Sequence, residues 1–450
     1  CGFPTVGHYP ETGIFRRCDR PAAHAFECLD HRGHNARLEG VLRRLAQSEA
    51  PRVRAALEET YRLTRKEVEQ GLMRGPFYST HEVDADLWVA PGSWRALHRF
   101  AIRQGTRADG SAKWRCCDNG RTSGTNECLE SVETITCERA SFPAVVGRLL
   151  AEVWPPPAPL PKMRIGTDDI ASAYRRLPCA HPETTVVAAW DPAREEVAYY
   201  TMDGHNFGLS AAVLSFNRVS QLVATVARRF FGVAVAAYFD DFCVVEPEFA
   251  GASGKHVLRA LSQWLGMEFS REKDVPMRVS NPFLGVIADF SLFEAEGHVV
   301  LRPKPSRVER LVESLQSSLA DDFLPAAEAD ALAGKLDFVS LSSGAYRVGR
   351  TAIRALRTFR DALRRGGPGG SIFSPGIPEY LQETMRFLIV LLPRLPPATY
   401  HMRRSPVPPI VVYTDAAFEP DDPRPAGLGA CVYDPLAPAG HQWVVVSGET

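Results

Sequence analysis

At 450 residues the chain exceeds one compact domain and is expected to divide into two to four units. Its 45% hydrophobic and 23% charged content excludes global disorder. With 52 Lys+Arg against 53 Asp+Glu, it is not a uniformly basic nucleic-acid binder, although segregated charge remains compatible with that balance.

The chain opens on Cys1 rather than Met and ends at Thr450 in mid-pattern, so a piece of a longer chain is expected. Residues 1–36 hold Cys1, Cys18, Cys28 and His31 among many turn residues and little apolar periodicity. Thiolates and imidazole suit tetrahedral zinc, and a small unit without a core needs such a staple. Free thiols in a loop are the alternative. The ten Cys show no secretory framework, which favours a reducing intracellular compartment, with nucleus and cytoplasm both open.

Residues 37–160 begin with a charged helical pattern to Leu72. Short strands and turns follow, with Trp88, Trp94 and Trp114 as core or edge aromatics, and then a helix over Phe142–Trp154. WPPPAPLPK reads as a stiff linker and a boundary. Residues 161–292 alternate strand, helix, strand and strand. MRIGTDD ends in carboxylates, Ser210–Phe231 is a long amphipathic helix, and VAVAAYFDDFCVVE is a hairpin with acids at its tip. Residues 293–405 start with another hairpin strand and continue into three helices, 306–319, 326–341 and 346–365, before a glycine-rich break. Arg347, Arg350, Arg354, Arg357, Arg360 and Arg364 recur at helical spacing, which suits a stripe following phosphates or a solvated face. Residues 406–450 open on a new strand ending at Asp415. No run is long and apolar enough for a membrane span.

Asp168–Asp169 and Asp240–Asp241 stand at the ends of apolar strands. Clustered carboxylates are costly unless a cation neutralises them, and hard oxygen donors suit Mg²⁺ or Mn²⁺. A pair of such ions is the usual device for phosphoryl transfer. A single Asp-Asp pair in a turn would otherwise be a solvated turn.

YFDDF between apolar strands, preceded in order by DIASAYRRLP and HNFGLSAAVLSF, resembles the reverse transcriptase palm. The resemblance implies an α+β right-hand polymerase of fingers, ferredoxin-like palm and thumb. It implies metal carboxylates at Asp169, Asp240 and Asp241, with Tyr174 under the incoming sugar, selecting deoxynucleotides. Phe207 and Gly208 would lie near the nucleotide, and Asn206 stands where the family has Pro. KWRCCDNGRTSGTN is similar to the fingers segment, placing Arg115 and Lys113 on the triphosphate. Lys273 matches the lysine that protonates pyrophosphate, and Phe283, Leu284 and Gly285 match the grip on the primer end. VVYTDAAF with GLGACVYD looks like the first strands of an RNase H-like α/β domain, cut short, with Asp415 as its first acid. The implied partners are an RNA or DNA template with primer, and dNTPs. FGLS and the short connection look most like DIRS-like retroelements. Template preference and oligomeric state stay open. The rival readings are a retroelement-derived nucleic-acid-binding protein without catalysis, and an RNA polymerase, against which Tyr174 speaks.

Overall fold

The computed structural model describes every residue except 1, 107–108, 156, 345, 366–375, 403–407, 409, 418–426 and 450; for 341, 346–348, 417 and 449 only the backbone is described. The helices His31–Ala46 and Pro51–Glu69 are separated where Pro51, fit for the first helical turn but not the interior, begins the second. Both lie on a five-stranded sheet ordered Arg74–Phe77, Glu196–Thr201, Val187–Asp191, Leu97–Thr106, Ala112–Asp118. Two of these strands come from beyond the expected 160/161 division, so that division is crossed by strand pairing.

A second sheet carries the acids. Its order is Val235–Tyr238, Asp241–Pro247, Met163–Asp169, Val275–Arg278, all antiparallel. Ser210–Phe231 and Ser253–Trp264 contribute Phe216, Ala224 and Leu258 to the core on one face. On the other, Met163 and Ile165 pack with Phe283 and Val299 of a neighbouring sheet, Ser280–Phe283, Val286–Asp289, His298–Pro303, Ala398–His401. The segment 298–303 pairs antiparallel with 286–289, as the hairpin expectation has it, and also with 398–401, which makes it a central strand of four.

Pro305–Ala320, Ala326–Leu341, Tyr346–Arg365 and Glu379–Leu391 share one leucine-rich core. On the third helix Ala352, Ile353, Leu356 and Phe359 face inward. Arg354 and Arg357 are exposed, while Arg360 and Arg364 both pair with Asp330. The arginine stripe is therefore partly neutralised at its C-terminal end; the Arg347 side chain lies outside the described residues. Val411–Ala417, Gly427–Tyr433 and Trp443–Glu449 form an antiparallel sheet. Among the described residues no helix is long and apolar enough to cross a membrane.

Several local expectations change. The proline-rich segment folds back instead of spacing two bodies: Leu160 is buried and Trp154 Nε1 donates to Pro159 O at 2.8 Å. Trp94 is buried, with Nε1 on Asp84 Oδ1 at 2.8 Å, whereas Trp88 is 92% exposed. Trp88 caps its helix in the left-handed region, which turns its side chain out of the core.

The N-terminal segment is not coreless, and the physical ground for zinc disappears with that. Gly7–Tyr9 and Arg17–Arg20 flank Leu129–Glu133, and Val6 and Phe26 pack on Cys128. Cys18 Sγ donates to Ser131 O at 3.5 Å, Cys28 is exposed, and His31 is tilted on Phe26. Cys18, Cys28 and His31 form no ligand group; Cys1 lies outside the described residues.

A closed ring of charge joins the two main sheets. Arg99 lies 2.8 Å from both Asp118 and Glu67, and Arg175 lies 2.9 Å from Asp118 and 3.1 Å from Glu67. Arg99 Nη2 meets Glu67 as an ion pair without hydrogen-bond alignment. Burial alone would raise the Asp118 pKa; Arg99 and Arg175 outweigh it and hold the carboxyl below its ordinary value. Its contribution is present above the ordinary carboxylate range and is lost as pH falls through the lowered native value. Arg99→Met should cost about 3–5 kcal/mol, because Asp118 is left buried with half its compensation. Urea titration at neutral pH measures the loss; a variant within 1 kcal/mol of the parent (about the worth of an exposed pair) would contradict it.

Candidate active site

Antiparallel pairing sets Asp241 directly opposite Asp169, and Phe242 opposite Asp168. Side chains alternate along a strand, so Asp168 and Asp169 point to opposite faces. Asp169 and Asp241 share a face. Asp240 sits in the turn, with its carbonyl accepting from Ile170 N at 3.0 Å. The preceding Phe239 adopts φ 52°, and Ser220 Oγ donates to its carbonyl at 2.8 Å, which fixes the turn to the helix beneath.

Burial raises the pKa of Asp240, and Asp169 adds to it. Burial and then the charges of Asp240 and Asp169 push Asp241 up to about 6. Like charges held together in a half-dry place call for a cation. Lys273 supplies one: Nζ lies 2.6 Å from Asp169 Oδ1. Asp168 points the other way, 2.8 Å from Arg259 and 3.4 Å from Lys255, both of which also hold Asp274. It is an anchor for the strand rather than a member of the acid cluster.

Among the described residues no group of three or more His, Cys, Asp or Glu side chains is arranged to hold a metal ion. Mg²⁺ does not need one, since it binds through one or two carboxylates and completes its shell with water and substrate phosphates. The carboxylates of Asp169, Asp240 and Asp241 are hard oxygen donors of the class such an ion takes, and burial raises the pKa of Asp240 and Asp241.

A wall of side chains stands beside the acids. Tyr174 packs its ring 5.0 Å from Phe207 and 5.5 Å from Phe216. Burial and the charge of Asp240 push its hydroxyl up to about 12, so it stays protonated. Arg115 lies 4.8 Å over the Phe207 ring. Lys113 and Arg115 are two apart on Ala112–Asp118 and share its exposed face, while Cys116 and Asp118 are buried on the other. Cys117 is half-buried.

Gly208 has φ 126°, and a Cβ there would lie 1.9 Å from Asp118 O. The close approach is to the protein's own backbone, where Asp118 N donates to Phe207 O at 2.7 Å. Asn206 is buried and donates to Thr185 O at 3.1 Å, so the turn forms without proline.

Phe283 is a core residue, 3% exposed. Leu284 and Gly285 make the two-residue turn after it, with φ 50° and 81°. They line a cavity of about 1100 Å³ together with Asp241. Asp415 is exposed on the C-terminal sheet opposite Gly429, in a separate shallow cleft.

Sequence reasoning missed Glu67, Arg99, Asp118 and Arg175, whose ring sets the positions of Tyr174, Phe207 and Arg115. No local pattern marks them. The division of Asp168 from Asp169 was available in the period of two.

No family model matches this chain, and no curated protein does. The solved structures similar to it include two of a foamy viral protein. The foamy viral protease–reverse transcriptase in complex with dsDNA is 13% identical, with a TM-score of 0.47, over 88% of this chain and 67% of that one. A dRH form in complex with dsDNA is 12% identical, with a TM-score of 0.43, over 78% of this chain and 53% of that one. The chain therefore spans about half the length of the latter.

Asp241→Asn should raise the thermal midpoint in chelator, because it removes one of three mutually repelling charges. Added Mg²⁺ should stabilise the parent more than the variant. Thermal melts with and without Mg²⁺ test both; a destabilised variant in chelator would contradict the repulsion.

Proposed function

We propose that the chain is the polymerase portion of a retroelement reverse transcriptase, extending a primer on an RNA or DNA template with dNTPs. The observation that carries this is one constellation: Asp169 and Asp241 opposed across neighbouring strands, Asp240 in the adjoining turn, and Tyr174, Phe207 and Arg115 packed beside them. The sheet is reached in the order strand, helix, strand, strand, helix, strand, which supports reading it as a ferredoxin-like palm. The five-stranded sheet would be the fingers and the four-helix body the thumb and connection. The C-terminal sheet would be the start of an RNase H-like domain.

In this reading the primer 3′-oxygen bonds to the α-phosphorus as the bond to the pyrophosphate oxygen breaks. Two Mg²⁺ ions, held by Asp169, Asp240 and Asp241, would activate the hydroxyl and offset charge on the phosphates. Arg115 presents a planar fork to the triphosphate, and Lys113 on the same face adds a point charge. Lys273 keeps Asp169 neutralised at rest and carries the proton that the leaving pyrophosphate takes up. Tyr174 fills the space a ribose 2′-hydroxyl would need, and its packing on two phenylalanines prevents it from yielding.

Asp240→Asn should lower primer extension by about a thousandfold while leaving the far-ultraviolet spectrum intact. Full activity in that variant would defeat the metal assignment. Tyr174→Val should relax discrimination against ribonucleotides by roughly tenfold to a hundredfold, read from competing dNTP and rNTP incorporation. Unchanged discrimination would move the sugar gate elsewhere.

A further inference from the structure

The cavity beside Asp241 holds a cation that the reaction scheme above does not use. Arg307 lies one turn into Pro305–Ala320, and that helix starts against the Leu284–Gly285 turn: Lys304 N donates to Gly285 O at 3.0 Å, and Arg307 N to Lys304 O at 2.8 Å. The guanidinium occupies the place where Gly285 would carry a Cβ, which would lie 2.2 Å from Arg307 Cζ. It also rests 4.5 Å over the Phe338 ring. Glycine is therefore required at 285 twice, for its φ of 81° and for the room it leaves to Arg307.

Arg307 makes no ion pair among the described residues; burial and the neighbouring Arg310 lower its pKa, and no carboxylate opposes them. Glu138, an acid on the same cavity, is committed to Arg228 and to the Ala237 amide. Arg139 lines the cavity as well. A guanidinium braced by an aromatic face, beside a glycine turn and without a carboxylate, is built to take an anion with its remaining donors. The cavity runs from there to Asp241, where a primer end would lie.

We propose that Arg307, set between Gly285 and Phe338, is a seat for a backbone phosphate of the primer strand close to its 3′ end, with Arg139 on the same cavity assisting. This rests on the polymerase reading for the identity of the strand. The seat binds and orients the primer; it does not touch the reacting atoms.

The test is equilibrium binding of the whole chain to a primer–template duplex, with each near-terminal primer linkage replaced in turn by an uncharged methylphosphonate. The parent should lose about tenfold in affinity at one linkage, the worth of a charge-assisted contact. Arg307→Gln should bind the intact duplex about tenfold more weakly, become indifferent to that linkage, and lose about one unit of salt slope. Its KM for dNTP should not move. Arg307→Lys, which keeps the charge without the fork, should fall between the two. If Arg307→Gln binds like the parent, or remains sensitive to the same linkage, the seat is refuted even where extension proceeds normally. If the linkage effect appears but no nucleotide is ever added, the seat stands and the polymerase reading falls.

Discussion

Arg99, Asp118 and Arg175 have almost no exposed side-chain surface, and with Glu67 they close a ring of two cations and two anions. The members come from the helix Pro51–Glu69, two strands of the five-stranded sheet, and the turn after the Asp169 strand. The charges of Arg99, Asp118 and Arg175 are desolvated, so none of these three is tolerable without its partners. That mutual dependence fixes distance and angle between parts that apolar packing alone would hold less specifically. The consequences reach the site directly. Tyr174 precedes Arg175, Arg115 shares a strand with Asp118, and Asp118 N holds Phe207 O. Arg175 Nη1 also donates to His205 O at 3.1 Å, which secures the loop that carries Phe207.

The acid cluster works on the opposite principle. The ring satisfies its charges, whereas the cluster leaves Asp240 and Asp241 with raised pKa values and one ammonium among three carboxylates. Such an arrangement is retained at the expense of stability and is informative for that reason. Asp168, one residue away, has two cationic partners and serves as ordinary scaffolding. Neighbouring residues of the same type thus take opposite roles because the strand turns them to opposite faces.

Much of this was legible in one dimension. The apolar runs flanking Asp-Asp predict strands, and the structure has them at Met163–Asp169, Val235–Tyr238 and Asp241–Pro247. The long helix over Ser210–Phe231 and the helices Pro305–Ala320 and Tyr346–Arg365 follow from 3.6-residue periodicity, whereas Glu379–Leu391 lies outside the sequence expectations. The proline run misled, because stiffness was taken for separation while Leu160 carries it into a core. The N-terminal segment, poor in apolar residues, reads as coreless in the sequence, whereas it shares a core with Cys128.

The sequence by itself determined where the candidate residues stand: acids at apolar strand ends, an aromatic five residues after Asp169, and a basic strand before them. These are local patterns, governed by backbone periodicity and desolvation of neighbouring groups. Only the tertiary structure decided which of those acids meet, because strand register sets Asp169 against Asp241 and turns Asp168 away. It alone brought Glu67 to Arg175 across 108 positions and laid Arg307 against Gly285. Ion pairs and close packing between distant segments leave no periodic trace, since their partners are chosen by distance in the fold and not by spacing along the chain.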